Sequence, residues 1–575
     1  MKKNNNLTEK QIAIVGGGPS GLFMLKKIID AGLNGVSVTV FEKGKQLGAG
    51  MPYSASGAND EHVTNVSANE IPELAQSIGE WIQQVHPHTL ARFKIDLSHF
   101  HNYKVLPRLL FGEYLTDQFA LIAKKAISNG IDLQISYNSK VVDILDQPAA
   151  KNVTVVLADK SSFTFDHVVL CSGHLWPKHH EGKVKGYYDS PYPPAKIKQT
   201  LNHPVAIRGA SLTAIDAIRT LARAHGNYQI SEQGMLQYEL KDQKSKFKIV
   251  LHSREGLLPG VRFHLEESIL GKESLFTPDE INIIRKANEG FVLLDLAFEE
   301  KFLKPLSQQD PAFYEKIKDL SMEDFVDEVM ELRERLDAFQ LFRAEYREAA
   351  QSIRRRQSVY WKELLCALSY TLNYPAKYFS AEDMLRLKKK LMPLISLLIA
   401  FVPQSSAEEL LALHSAGVLD LIAVGAESKV VPKLEGGITY HYTNEQGEEK
   451  MVEYDTFVDC IGQPHLSFDD IPFPGLKERG TIAPAKLQFR VQALSNNLME
   501  ENRDIEMGVD GKYYLKVPGL AINDHFQVVD QYLALNPRIY VMAVPFIGGY
   551  NPDYSGLDFC ETAATQIAKS LTMLA

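Results

Sequence analysis

A glycine-punctuated turn between an apolar strand and a helix constrains this chain more than any other feature. The run Ile12-Ala13-Ile14-Val15 leads into Gly16-Gly17-Gly18-Pro19-Ser20-Gly21, then a helical pattern to Ala31, then a β-branched run from Val36 to Val40 that ends in Phe41-Glu42-Lys43. Strand, glycine turn, helix, strand and acid, in that order, make a dinucleotide-binding unit. Gly16 allows the tight turn, Gly18 lets backbone approach a pyrophosphate, and Gly21 lets the helix pack close to the strand. Pro19 and Ser20 open the helix, whose free N–H groups and positive dipole end favour phosphate. Glu42 falls about 20 residues on, where a carboxylate accepts hydrogen bonds from ribose hydroxyls, and Lys43 stands beside it.

A second unit repeats the order. Pro204-Val205-Ala206-Ile207-Arg208 turns at Gly209-Ala210-Ser211-Leu212-Thr213-Ala214 and enters a helical stretch to Ala224. Ser211 stands where the second glycine would, so its side chain either crowds the pyrophosphate or contacts it with the hydroxyl. The next strand, Phe247 to Leu251, delivers His252-Ser253-Arg254-Glu255. An arginine in place of the acid suits a 2′-phosphate through charge-assisted, bidentate contacts, which favours NADPH over NADH. Each unit also has a strand that runs into small residues beside the nucleotide: His167 to Leu170 into Cys171-Ser172-Gly173-His174, and Thr456-Phe457-Val458-Asp459-Cys460-Ile461 into Gly462. The two units form an internal pseudo-repeat, and two nucleotide sites on one chain point to redox chemistry.

The remainder is read around these units. A length of 575 residues suggests three to four domain-sized pieces. The boundaries expected are 1–180 and 466–575 for the first unit, 200–265 and 408–465 for the second, and 266–407 for a helical insertion with long charged patterns such as Met322 to Ala349 and Ala381 to Leu391. Arg354-Arg355-Arg356 reads as a solvated helix face. The stretch from Gly44 through His62-Val63-Thr64-Asn65-Val66 to Glu70 reads as a loop outside the core. Near the end, Ile539 to Val544 reads as a buried strand, followed by Pro545, the loop Gly548 to Ser555 and a helix opening at Gly556-Leu557. That helix start, with Tyr554, Ser555 and Gly556, suits an anion or an electron-rich ring.

Composition excludes several classes. A formal charge of -9, from 62 basic and 71 acidic side chains without long blocks of one sign, disfavours nucleic acid and anionic membranes as partners. The apolar segment Leu391 to Val402 is about half a membrane span and contains Pro393, so a buried helix is expected and no stable membrane insertion. The start, Met1 to Asn6, lacks the pattern of a secretory signal, and the default location is cytoplasmic. Four cysteines, mutually distant and without a CxxC pair, suggest neither a zinc site nor a redox dithiol, and no metal is expected.

The stretch Ile14 to Leu22, with Gly48-Ala49-Gly50-Met51-Pro52-Tyr53, His62 to Val66, Pro107-Arg108, Phe111 to Leu115 and Ser253 to Pro259, resembles the YdhS-like FAD/NAD(P)-binding flavoproteins. In its order of motifs the chain is also similar to flavin-containing and N-hydroxylating monooxygenases. That resemblance implies an α/β fold with two Rossmann-like dinucleotide-binding domains, FAD in the first and NADPH in the second, and a helical insertion. It places Met51, Pro52, His62 and Thr64 along the cofactor. Asn65 matches the asparagine that lies near flavin and nicotinamide in flavin-containing monooxygenases, where an amide can donate to a peroxide oxygen and accept from a cofactor amide. Disulfide reductases need a dithiol beside the flavin, which this chain does not show. The expected function is NADPH-dependent oxygenation, through a flavin C4a-hydroperoxide, of a small nucleophilic substrate at an amine or amino-acid nitrogen, with oxygen as co-substrate. The alternatives are an NADPH–flavin oxidoreductase serving a quinone or partner protein, and a flavin-binding regulatory protein.

Overall fold

The computed structural model describes residues 10–33, 35–266, 276–463, 465–491, 502–552 and 556–573. β1 (Lys10–Val15) enters α1 (Pro19–Asp30), and β2 (Val36–Phe41) follows. Two short strands, β3 (Val63–Ser67) and β4 (Val105–Pro107), precede α2 (Arg108–Ser128), β5 (Asp132–Ser136) and β6 (His167–Leu170). The second unit opens with β7 (Tyr187–Tyr188), β8 (Pro204–Arg208), α3 (Leu212–His225) and β9 (Lys248–Ser253). A helical region containing α4 (Met322–Glu334), α5 (Ala338–Arg355) and α6 (Tyr360–Asn373) intervenes. The chain then returns through α7 (Gln404–Ser415), β10 (Leu419–Ala423) and β11 (Thr456–Asp459). β12 (Gln527–Val529), β13 (Leu535–Val541) and α8 (Leu557–Met573) close it.

These strands form two main sheets. The first has the order β12-β13-β6-β1-β2-β5 and is parallel except for β12; the second, β7-β11-β8-β9-β10, is parallel throughout. The near-continuous apolar runs of β1 and β6 follow from this, because helices such as α1 cover one face of the sheet and the antiparallel strands Val141–Gln147, Asn152–Leu157 and Ser162–Phe165 cover the other, leaving no solvent side. Register then gathers the functional segments. Val15 pairs with Phe41 and with Leu170, which in turn pairs with Val541, so Gly16, Glu42 and Ser172 emerge at one edge. In the second sheet Arg208 lies opposite both His252 and Asp459. The carboxyl edge of an open parallel sheet is where dinucleotides bind.

Three expectations change. The 63–67 segment is a strand, not a loop: it pairs with Val105–Pro107, and the Thr64 hydroxyl accepts from Leu106 N at 3.1 Å. The periodic run from Met322 to Ala349 breaks after Glu334, where Asp337 caps the next helix by accepting from Gln340 N at 2.9 Å. The small sheet of strands Pro484–Gln488, Ile505–Met507 and Tyr513–Leu520 shares its core with the helical region. Leu391, Leu394, Ile395 and Leu398 are buried in that same core, and no helix among the described residues is long and apolar enough to cross a membrane.

Candidate functional site

The two glycine turns share one steric device. Gly16 has φ +117°, and a Cβ there would lie 2.5 Å from the Cys171 carbonyl oxygen; Gly209 has φ +103°, and its Cβ would lie 2.7 Å from that of Cys460. Only glycine fits such a turn beside a neighbouring strand. The helices differ slightly. A Cβ at Gly21 would meet the Gly16 oxygen at 2.2 Å, whereas the matching position in α3 is Ala214, so the second helix leaves room for a methyl. Gly18 and Ser211 cap α1 and α3 with extended backbone and no side-chain capping bond, leaving the first-turn N–H groups around Pro19-Ser20 and Leu212-Thr213 unclaimed by side chains. Gly18 lies against Gly50, which brings the Met51-Pro52 turn beside the first helix start.

The remaining groups fit a nucleotide at each edge. Glu42 accepts from Gly17 N at 2.9 Å and from Gly44 N at 2.6 Å, so both carboxylate oxygens are aimed over the turn and each keeps a lone pair for a ribose hydroxyl. Lys43 is exposed beside it. The hydroxyls of Ser172 and Ser253, one per unit, are buried without a hydrogen-bond partner among the described residues. Both hydroxyls are therefore open to a bound nucleotide or to water. Among the described residues, no atom beyond the chain neighbours lies within 4 Å of a Cβ built on Gly173 or Gly462, so both strand ends leave room there. The Arg254 side chain is 64% exposed, with Glu255 3.7 Å from its Nε. Gly556 is exposed at the start of α8, while Tyr554 and Ser555 lie outside the described residues.

His62 and Thr64 have other duties. His62 is fully buried; its Nδ1 accepts from Asn59 N at 3.0 Å, so Nε2 carries the proton and donates to Asp216 O and Thr220 Oγ1, each at 3.1 Å. Burial pushes its pKa down, which agrees with a neutral ring. His62 is thus a strut from the first unit to α3 of the second. Thr64 donates to Val66 O at 2.7 Å and accepts from Leu106 N, which leaves it little for a cofactor. Their neighbour Asn65 differs. Its carbonyl accepts from Arg262 Nη1 at 2.5 Å, while its half-buried side-chain amide makes no hydrogen bond to the described residues.

Sequence reasoning missed the groups that join the two units. Arg108 pairs with Asp216 inside the seam and donates through Nε to Val63 O at 3.0 Å, and Tyr192 donates to Asp216 at 2.6 Å. Burial alone would raise the Asp216 carboxyl, but Arg108 and these hydrogen bonds hold it below the usual range. Arg262 donates to Ser67 Oγ at 2.8 Å and pairs with Glu70, while Asn69 Nδ2 donates to the Leu265 and Glu266 carbonyls at 3.1 Å. Arg208 and Asp459 face each other in a bidentate pair at the second sheet's edge, a pairing implied once the register is known. All four cysteines are buried, and Ser20 Oγ lies 3.4 Å from Cys560 Sγ; burial pushes the thiols of Cys171 and Cys460 well up, and that of Cys560 to about 12.

Fold and site together define a protein with two dinucleotide-binding units, of the FAD/NAD(P)-binding class. Residues 13–175 match the family model described as FAD-NAD(P)-binding, and residues 277–399 match that of the YdhS-like middle domain. The chain is 29% identical over 478 residues to the Escherichia coli (strain K12) protein YdhS, itself described as uncharacterized, covering 82% of this chain and 86% of that protein. The resemblance to YdhS-like proteins and the FAD and NAD(P) cofactor class expected from the sequence are borne out. Among solved structures, the ornithine N-hydroxylase of Kutzneria sp. 744 is similar over 98% of this chain and 99% of its own (TM-score 0.47, 12% identity). The bacillithiol disulfide reductase of Staphylococcus aureus is similar over the same shares (TM-score 0.42, 10% identity).

Proposed function

We propose that this chain is an NADPH-dependent FAD monooxygenase that oxygenates a small nucleophilic substrate at an amine or amino-acid nitrogen. The observation that carries the reading is Asn65: its backbone is fixed across the seam by Arg262, and its amide is left unengaged by the described residues. A bound flavin supplies the redox chemistry, with NADPH as hydride source. The chain's part is placement. The helix starts at Gly18 and Ser211 receive the pyrophosphates, Glu42 orients a ribose, and Arg254 meets the 2′-phosphate. The amide of Asn65 donates to a developing oxygen anion and accepts from a carboxamide. The buried seam of Arg108, Asp216, Tyr192 and His62 excludes water between the units. Burial pushes the thiols of Cys171, Cys460 and Cys560 up, which disfavours the low-pKa thiolate that a disulfide reductase needs.

Rapid mixing of the NADPH-reduced protein with oxygen, followed by absorbance, tests this. A transient band belonging to neither oxidised nor reduced flavin is expected, and its decay with an amine or amino acid should yield oxygenated product. Direct return to oxidised flavin with stoichiometric peroxide, with and without such substrates, would instead support electron transfer to a quinone or partner protein. No reduction by NADPH would support a regulatory role.

A further inference from the structure

Three parts of the chain meet at one carboxylate that nucleotide binding does not use. α8 begins beside the first nucleotide turn, because Ser20 Oγ at the start of α1 lies 3.4 Å from Cys560 Sγ. Two residues earlier, Asp558 Oδ2 accepts from the Tyr370 hydroxyl of α6 at 3.4 Å, which brings the helical region to the same point. Glu70, just after β3, is close enough for its charge to act on Asp558. Glu70 in turn shares Arg262 with the Asn65 carbonyl.

The neighbouring acids have cations, and Asp558 does not. Glu70 pairs with Arg262 and accepts from Ser67 N and Oγ, each at 2.8 Å, while Glu561 pairs with Lys27. Among the described residues Asp558 has no ion pair, and its Oδ1 is buried without a hydrogen-bond partner. In the loop that feeds α8, Asn551 is 5% exposed and its side-chain nitrogen is equally unmet among those residues. A helix start favours a charged carboxylate. Burial and the charge of Glu70 outweigh that preference here and push the Asp558 carboxyl up to about 7. What this carboxylate lacks is positive charge, and the described residues provide none.

Resting on the amine-oxygenating reading above, we propose that Asp558 binds the substrate: its open oxygen receives an N–H of a cationic amine, whose charge is the counter-ion the site lacks. A charge-assisted hydrogen bond of this kind is strong and needs a donor. It therefore selects the chemistry of the substrate. Neutral sulfides and ketones have neither proton nor charge to offer, and a carboxylate is repelled by Asp558 and Glu70. An amino acid enters with an ammonium toward Asp558 and its carboxylate turned away. Tyr370 holds the other oxygen, which gives the helical region a part in orienting the carboxylate.

Titration of the oxidised, flavin-loaded protein with n-butylamine and n-pentylamine, each against the alcohol of equal length, tests this without oxygenation. Flavin absorbance and the thermal midpoint report saturation. The amine should bind at least about ten-fold more tightly than its alcohol, the least that a hydrogen bond to a charged group contributes. Its affinity should rise about ten-fold per pH unit up to about pH 7 and level off above, because only ionised Asp558 attracts an ammonium. Asp558→Asn should bind amine and alcohol alike at every pH and keep its flavin, and Asp558→Glu should regain a preference for the amine. No preference for the amine at any pH overturns the proposal, as does amine binding by Asp558→Asn equal to that of the parent protein. If Asp558→Asn loses its flavin, the parent's pH profile decides, and an amine affinity constant from about pH 5 to 7 overturns the proposal. Amine binding at Asp558 without oxygenated product would count against the monooxygenase reading alone. Oxygenation of a substrate whose affinity ignores Asp558 would count against this proposal alone.

Discussion

Arg108, in the first turn of α2, donates to the carboxylate of Asp216 in α3, and this ion pair joins the two nucleotide units inside their seam. The side chains are 16% and 6% exposed, and Tyr192 serves the same carboxylate oxygen. Removing one partner leaves a buried charge uncompensated, at a cost of about 3–5 kcal/mol. Asp216→Ala should therefore lower the thermal midpoint sharply, while Arg108→Met/Asp216→Leu should recover much of the loss. Equal losses in the single and double variants would show that an unpaired charge is not the cause.

The twin turns allow the two nucleotide sites to be separated. Gly16→Ala sets a methyl against the Cys171 carbonyl, and Gly209→Ala sets one against Cys460. The first should purify without flavin. The second should keep its flavin but need at least about ten-fold more NADPH for half-maximal flavin reduction, a loss of roughly 1.4 kcal/mol. Flavin loss from Gly209→Ala would reverse the assignment.

Arg254→Ala should weaken NADPH by about 10- to 100-fold, the range that roughly 1.5–3 kcal/mol of charged hydrogen bonding allows, and leave NADH nearly unchanged. Titration of flavin reduction with each nucleotide measures it. Equal losses for both would remove Arg254 from the 2′-phosphate.

Asn65→Ala removes an amide that the described residues do not engage. Flavin content and NADPH consumption should hold, while peroxide released per NADPH rises severalfold. Unchanged coupling would assign Asn65 to the backbone contact with Arg262 alone.

Asp558, in the first turn of α8, has a buried oxygen without a hydrogen-bond partner among the described residues, and burial together with the charge of Glu70 pushes its pKa to about 7. The folded protein then holds a proton that the unfolded chain releases near pH 4. This contribution to stability is complete below about pH 4, is lost as pH rises toward 7, and changes no further above it. Asp558→Asn stays neutral throughout, so the cofactor-free variant should show a shallower fall in stability from pH 4 to 7. A pH profile identical to that of the parent protein would place the Asp558 pKa in the ordinary range.

Local chemistry was legible in the sequence and cross-chain chemistry was not. Gly16, Gly21 and Gly209 declare themselves because a turn and its helix are contiguous, and Ser172 and Ser253 follow from the strands that deliver them. His62 and Thr64 were placed along the cofactor because a motif names a position, not a direction; both side chains turn toward protein partners. Arg262 was invisible for another reason. It meets Asn65 from 197 residues away, and no periodicity in either segment reports the meeting.

That contact sits at the neck of the helical region. Where the chain leaves for the helices and where it comes back, Val402 donates its N–H to Gly260 O and accepts at its carbonyl from Arg262 N, and Arg262 reaches from this neck to the carbonyl of Asn65 and on to Glu70. The helical region is therefore fitted like the long arm of a lever whose short arm rests on Asn65.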